Sequence, residues 1–200
     1  VASRVRYLSV SFGIGRMQPR RPADVLANRY GDCKDKVALL GALASSVGLD
    51  VRPVLVSSRR KALRDEAPGP QQFDHMVGVV RLGPDPADWV WLDATVDVAP
   101  PGYLLPSLRD KPALLIEPTG RGSLVRTPAV PPFRRTADFD IKGGLTADGV
   151  LKAHVRWTLR SDHELYARNA FRVSAADRHA EIVRASLADS WKDVVVTNVK

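Results

Sequence analysis

A helix start at Gly31-Asp32-Cys33, an apolar run that ends at Gly48, and a change of hydrophobic period immediately afterwards constrain this chain more than any other feature. Gly31 breaks what precedes it, Asp32 is suited to cap the first unpaired amides of a helix, and Gly48 supplies a left-handed stop. Between them Val37, Leu40, Gly41, Ala44 and Val47 recur at helical spacing and read as one apolar face. Past Gly48 the period drops to two. Val51 to Ser57, Phe73 to Leu82 and Trp89 to Asp93 read as three strands, with Asp85 to Asp88 as the turn between the last two. A helix followed by strands joined through turns predicts an α+β fold, with the helix packed on an antiparallel sheet.

Around this centre the organisation is less regular. Val5 to Phe12 alternates and meets Gly13 and Gly15, which predicts an extended segment ending in a turn; Arg20 to Tyr30 predicts a short helix opened by Pro22. Ser58 to Gln72 is charged and carries Pro68-Gly69-Pro70, so it reads as a surface loop that leads into the second strand, mobile and bordering any cleft there. From residue 99 to 132 prolines recur often enough to predict an irregular strap, which places a domain boundary near residue 130. A core over residues 1–130 and an accessory unit over 131–200 are the expected division. In the second unit, Phe139 to Lys142 and Val150 to Leu159 flank a turn, His163 to Trp191 reads as helix, and Val194 to Val199 as a strand with an unpaired edge. The chain opens on Val1 in what reads as the middle of an element, so it is expected to be part of a longer precursor whose other domains are its neighbours.

Composition narrows the class. The chain has 200 residues, 44% of them hydrophobic and 26% charged, which is globular usage and neither disordered nor collagen-like. No apolar run reaches the roughly 20 residues of a membrane span. Thirty basic and 22 acidic residues give a formal charge of +8, yet the charges of both signs are interspersed and Arg59-Arg60-Lys61 has no interleaved aromatics, so no nucleic-acid partner is expected. The single cysteine forms no internal disulfide, and the histidines outside the core are scattered without ligand spacing, so no metal and no other cofactor are expected.

The lone thiol points to chemistry. Cys33 falls at the first position of the predicted helix, where unpaired amides and the helix dipole favour thiolate over thiol. Most single cysteines on helices are small core residues, but a site directly after Gly-Asp is poorly placed for that. From the residues alone His75 in the second strand reads as a satisfied, half-buried histidine and Asp93 as the cap of a strand end, while their order after Cys33 also suits a base and an orienting carboxylate. Asp32 and Asp35 read as helix cap and first-turn charge, and Trp89 and Trp91 as core.

Three segments carry a family resemblance. Tyr30-Gly31-Asp32-Cys33-Lys34-Asp35-Lys36 with Arg52-Pro53-Val54-Leu55-Val56, then Phe73-Asp74-His75-Met76-Val77, then Trp89-Val90-Trp91-Leu92-Asp93-Ala94-Thr95, together resemble the transglutaminase-like superfamily, and most of all its bacterial multidomain members. The resemblance spans about Tyr7 to Ile116. It implies a papain-like core, a Cys33, His75 and Asp93 triad acting on peptide or protein substrates without a cofactor, and a periplasmic or cell-envelope location. It also implies a second oxyanion donor beside the Cys33 amide, for which Gln18 and Tyr7 are the upstream candidates. Lys34 and Met76-Val77 stand where calcium-dependent animal members carry tryptophan, so protein crosslinking is not expected. Hydrolysis is the expected outcome over acyl transfer, since water needs no dedicated site. The rival reading is an inactive domain that holds a peptide or cell-wall fragment.

Overall fold

The structure, a computed structural model, describes residues 1–9, 18–66, 69–188, 190–191 and 193–199. The chain divides into two compact units, Val1–Pro132 and Phe133–Lys200. Both mix helix and strand, so the chain is α+β. No helix among the described residues is long and apolar enough to cross a membrane.

The first unit opens with the two-residue strand β1 (Arg6–Tyr7), which pairs in parallel with β2 (Tyr30–Gly31) and sets Tyr7 opposite Gly31. Residues 10–12 of the expected extended segment, and its turn at Gly13 and Gly15, lie outside the described residues. Helix α1 (Pro22–Asn28) starts on its proline and ends at Arg29, whose φ of 56° is left-handed. Helix α2 (Cys33–Ser45) is capped as its sequence predicts: the Asp35 amide donates to the Asp32 carboxylate at 3.3 Å, and the Asp32 amide returns a bond to the Asp35 carboxylate at 3.2 Å.

The buried part of α2 differs from the expected apolar stripe. Val47 lies beyond the helix and is 73% exposed, whereas Lys34, Asp35 and Lys36 are buried in the first turn. Each has a physical reason. Lys34 pairs with Asp32, and Asp35 accepts three bonds from Arg20, from its amide at 2.7 Å, Nε at 3.0 Å and NH2 at 2.8 Å. The Lys36 ammonium donates to the carbonyls of Ala2 (3.1 Å) and Val5 (2.8 Å), so a buried amine ties the first residues of the chain onto the helix.

A five-stranded antiparallel sheet follows, in the order β5 (Trp89–Leu92), β4 (His75–Arg81), β3 (Val51–Val56), β6 (Pro112–Ile116) and β7 (Gly122–Arg126). On one face α2 comes close: a Cβ on Gly78 would lie 2.9 Å from Val51 Cγ1 and 3.8 Å from Leu40 Cδ2. The register puts Val54, Val77 and Leu115 in one row and Val79 opposite Trp91, and these residues form the fully buried core of the other face. Leu104 and Leu108 complete that core. The expected strap is therefore half right. Its first part covers the sheet as irregular chain, but its second part supplies two strands, because Pro112 begins β6 and Pro118 follows its end, both positions where a missing amide is tolerated.

The second unit holds a hairpin of β8 (Ala137–Leu145) and β9 (Leu151–Leu159) and two helices, α3 (Asp162–Val173) and α4 (His179–Leu187). In both strands the odd-numbered residues are apolar or glycine and the even-numbered ones polar or glycine, so the hairpin has two chemically distinct faces. The helix expected over 163–191 is broken at Ser174, which is extended; there the chain folds back and the His179 ring packs edge-on against Phe171 with centroids 4.8 Å apart. The expected strand over Val194–Val199 is not formed, since no ladder partner meets it among the described residues. The unpaired edges belong instead to β8 and β9.

Candidate active site

Cys33 is the first residue of α2, His75 the first of β4, and Asp93 the first after β5. Because Val79 pairs with Trp91, continuing the register places Asp93 opposite Val77, diagonal to His75 on the same face. The diagonal closes with the Nε2–H of His75 donating to Asp93 Oδ2 at 3.0 Å; the two side chains are 15% and 1% exposed. Cys33 lies near enough to the ring to raise its pKa, after Asp93. With Nε2 committed to the carboxylate, Nδ1 is the nitrogen left to serve the thiol.

Electrostatics follow from that order. Burial pulls the His75 imidazole down, but the hydrogen bonds and charges of Asp93 and Cys33 prevail and raise it to about 10, so the ring carries its proton at neutral pH. Burial pushes the Asp93 carboxyl up, and His75 together with Thr95 holds it below the usual carboxylate range. Thr95 had no role in the sequence reading. Its amide and hydroxyl both donate to Asp93 Oδ1, at 2.9 and 2.6 Å, and the signal was present as an aspartate two residues before a threonine, a spacing that favours such local bonds.

The two oxyanion candidates separate. Tyr7 pairs with Gly31, two residues before Cys33, and is 47% exposed; partial burial followed by the charges of Cys33, Asp32 and Asp93 pushes its phenol up, which keeps it a proton donor. Gln18 is exposed, and no hydrogen bond of its side chain to the three residues is found among the described ones. Trp91 lies in the core at 3% exposure and Trp89 packs beside it with ring centroids 6.5 Å apart.

A cavity of about 290 Å³ opens on His75 and Asp93, with walls from Thr95, Asp74, Ser58 and Leu108. The loop after β3 does border it, as expected, but its near end is tied down and not loose. The amide and hydroxyl of Ser58 donate to Asp74 at 2.7 and 2.9 Å, and the buried Lys111 ammonium donates to the carbonyls of Ser58 (3.4 Å) and Arg60 (2.9 Å). Farther along, Gln72 and the backbone of Arg64 bond reciprocally at 2.6 and 3.1 Å. Among the described residues no three His, Cys, Asp or Glu side chains gather as a metal site.

No protein-family model, no curated protein and no solved structure matches this chain. A thiol stands at a helix start, and near it an imidazole has one nitrogen fixed by a buried carboxylate.

Proposed function

We propose that the first unit is a transglutaminase-like, papain-related catalytic domain that cleaves or transfers peptide-like amides through a thioester on Cys33. The observation that carries this reading is the His75 Nε2 bond to the buried Asp93 carboxylate at 3.0 Å, with Cys33 at the start of the neighbouring helix close enough to raise the ring's pKa.

In the first half-reaction the Cys33 thiolate attacks the amide carbonyl and a C–S bond forms. Negative charge moves onto the carbonyl oxygen, where the Cys33 amide and the Tyr7 hydroxyl are the donors at hand. The C–N bond then breaks, and the departing amine takes its proton from His75 Nδ1. In the second half-reaction the neutral ring accepts a proton from water, or from an amine, as that nucleophile attacks the thioester. Cleavage of the C–S bond releases the acid, or the new amide, and restores the thiolate and imidazolium. Asp93 stays ionised and keeps the ring in one orientation. Hydrolysis is the default outcome. By the same resemblance, the domain works in the periplasm or cell envelope alongside other domains of a longer precursor.

Intact-mass measurement after incubation with activated esters and peptide amides tests the proposal. The expected result is one acyl group on Cys33, absent in Cys33→Ala and accumulating when the ester outpaces deacylation. A chain that never acylates, yet binds peptide or cell-wall fragments with His75 intact, overturns it in favour of a binding domain.

A further inference from the structure

We propose that a second copy of this chain docks along the outer edge of β8, the two β8 strands pairing antiparallel about a two-fold axis at Ile141. The surface is a nine-residue strand that, among the described residues, is bonded to β9 on one side only, with every residue exposed. An edge of that length presents a row of unpaired amides and carbonyls, which natural sheets normally blunt with charge, proline or a covering element.

The two edges of this hairpin differ in how they are defended. Along β9 the polar face carries Lys152, His154 and Arg156, so antiparallel pairing of two β9 strands about Val155 would set His154 against Arg156 twice. Along β8 it carries Asp138, Asp140 and Lys142. Pairing about Ile141 sets each Asp140, which already lies 3.7 Å from its own Lys142, opposite the second copy's Lys142, forming two opposite-charge pairs across the new seam where β9 offers none. The β8 edge is thus self-complementary, which is what a two-fold interface demands.

The apolar face gives the same register. Ile141 is 42% exposed and would meet its own symmetry mate, while Phe139, 43% exposed, would lie opposite Gly143. Gly143 tolerates no side chain, because a Cβ there would sit 2.6 Å from the Cβ of Ala153. It leaves a bare stretch of backbone beside the second copy's Phe139, whose ring stacks on Trp157 at 5.1 Å and meets Trp191 edge-on at 5.7 Å in its own chain. An isolated two-stranded hairpin is marginal in water, and the pairing turns two of them into one four-stranded sheet.

Sedimentation of the full chain over a concentration series tests this. The wild type should approach twice the monomer mass. Asp140→Lys and Lys142→Asp should each weaken self-association by about tenfold or more, since each sets like charges across the seam. Mixed in equal amounts, the two variants should associate again, because their edges are complementary to one another though not to themselves. Ile141→Lys, which changes no charge opposite Arg156 or His154, should also give monomer. Four results would each overturn the proposal: a wild type that stays monomeric, variants that self-associate unchanged, two folded variants that remain monomeric when mixed, or an open ladder of larger species from β8-to-β9 joining. If circular dichroism shows that Asp140→Lys loses its hairpin, the Ile141→Lys chain decides the matter, and its persistence as a dimer rejects the proposal.

Discussion

Thr95 grips Asp93 from the side away from His75, with both of its hydrogen bonds on Oδ1, so that Oδ2 is left for the imidazole. Each carboxylate oxygen has its own duty, and the ring orientation rests on a residue that never touches it. Thr95→Val removes the 2.6 Å hydroxyl bond and should lower amide turnover by about tenfold, the loss expected for one hydrogen bond to a buried charge. Thr95→Ser should restore most of it. Comparing kcat with KM checks the assignment: a change confined to KM would mean that Thr95 shapes the cavity and does not steady the dyad.

The His75 and Asp93 pair makes stability depend on pH from both sides. His75 is raised from an ordinary 6.5 to about 10, so its contribution is complete below 6.5 and is lost as pH climbs toward 10. Asp93 is lowered, so its contribution is complete above the ordinary carboxylate range and fails as acid titrates the folded protein. Denaturant unfolding across pH should give a plateau between these limits. His75→Gln should flatten the alkaline fall, and an unchanged alkaline limb in that variant would refute the coupling.

Thiol reactivity offers an independent check. With His75 protonated beside it, Cys33 should alkylate readily in the native state near neutral pH, and His75→Ala should slow iodoacetamide labelling well before the protein unfolds. Asp93→Asn should cost more turnover than labelling, because the thiol needs the proton acceptor while catalysis needs the ring correctly aimed. A native thiol that labels only on unfolding would place Cys33 in a purely structural role.

Lys36 carries a stability prediction of its own. It is 1% exposed, and its amine satisfies two carbonyls while burial pulls its pKa down. Lys36→Ala leaves both acceptors bare above a new void and should cost about 2–4 kcal/mol by denaturant titration. Lys36→Met keeps the volume and should recover part of that loss. Since the lost bonds hold the segment that delivers Tyr7, acylation should slow in both variants.

Much of this was legible from the residues, and particular positions show why the rest was not. Gly31-Asp32 announced α2 because capping is local chemistry, and strands β3, β4 and β5 announced themselves as short β-branched and aromatic apolar runs bounded by turn residues. Cys33, His75 and Asp93 could be named in advance, but their meeting depends on a register between β4 and β5 that no single segment encodes. Strands β6 and β7 were hidden because the prolines around them mark strand ends as readily as loops. The burial of Lys36 was hidden for a different reason: a lysine buried against carbonyls looks, in sequence, identical to one in solvent. At Ser174 no glycine or proline warned of the break, and at Val194–Val199 a β-branched run lacks, among the described residues, the one thing a strand requires, a neighbour.

Lys111 links parts of the first unit that are distant in sequence. Its amine holds the carbonyls of Ser58 and Arg60 at the cavity rim, while its backbone pairs both ways with Thr127, whose hydroxyl also donates to the Leu108 carbonyl. The rim, the cavity floor and the outermost strand thus share one fastening, and none of them can open alone. In native-state hydrogen exchange the amides of Ser58, Lys111 and Thr127 should therefore lose protection together, at a free energy above that of ordinary loop fraying. Fraying at β7 would then reach His75 through the rim of its own cavity.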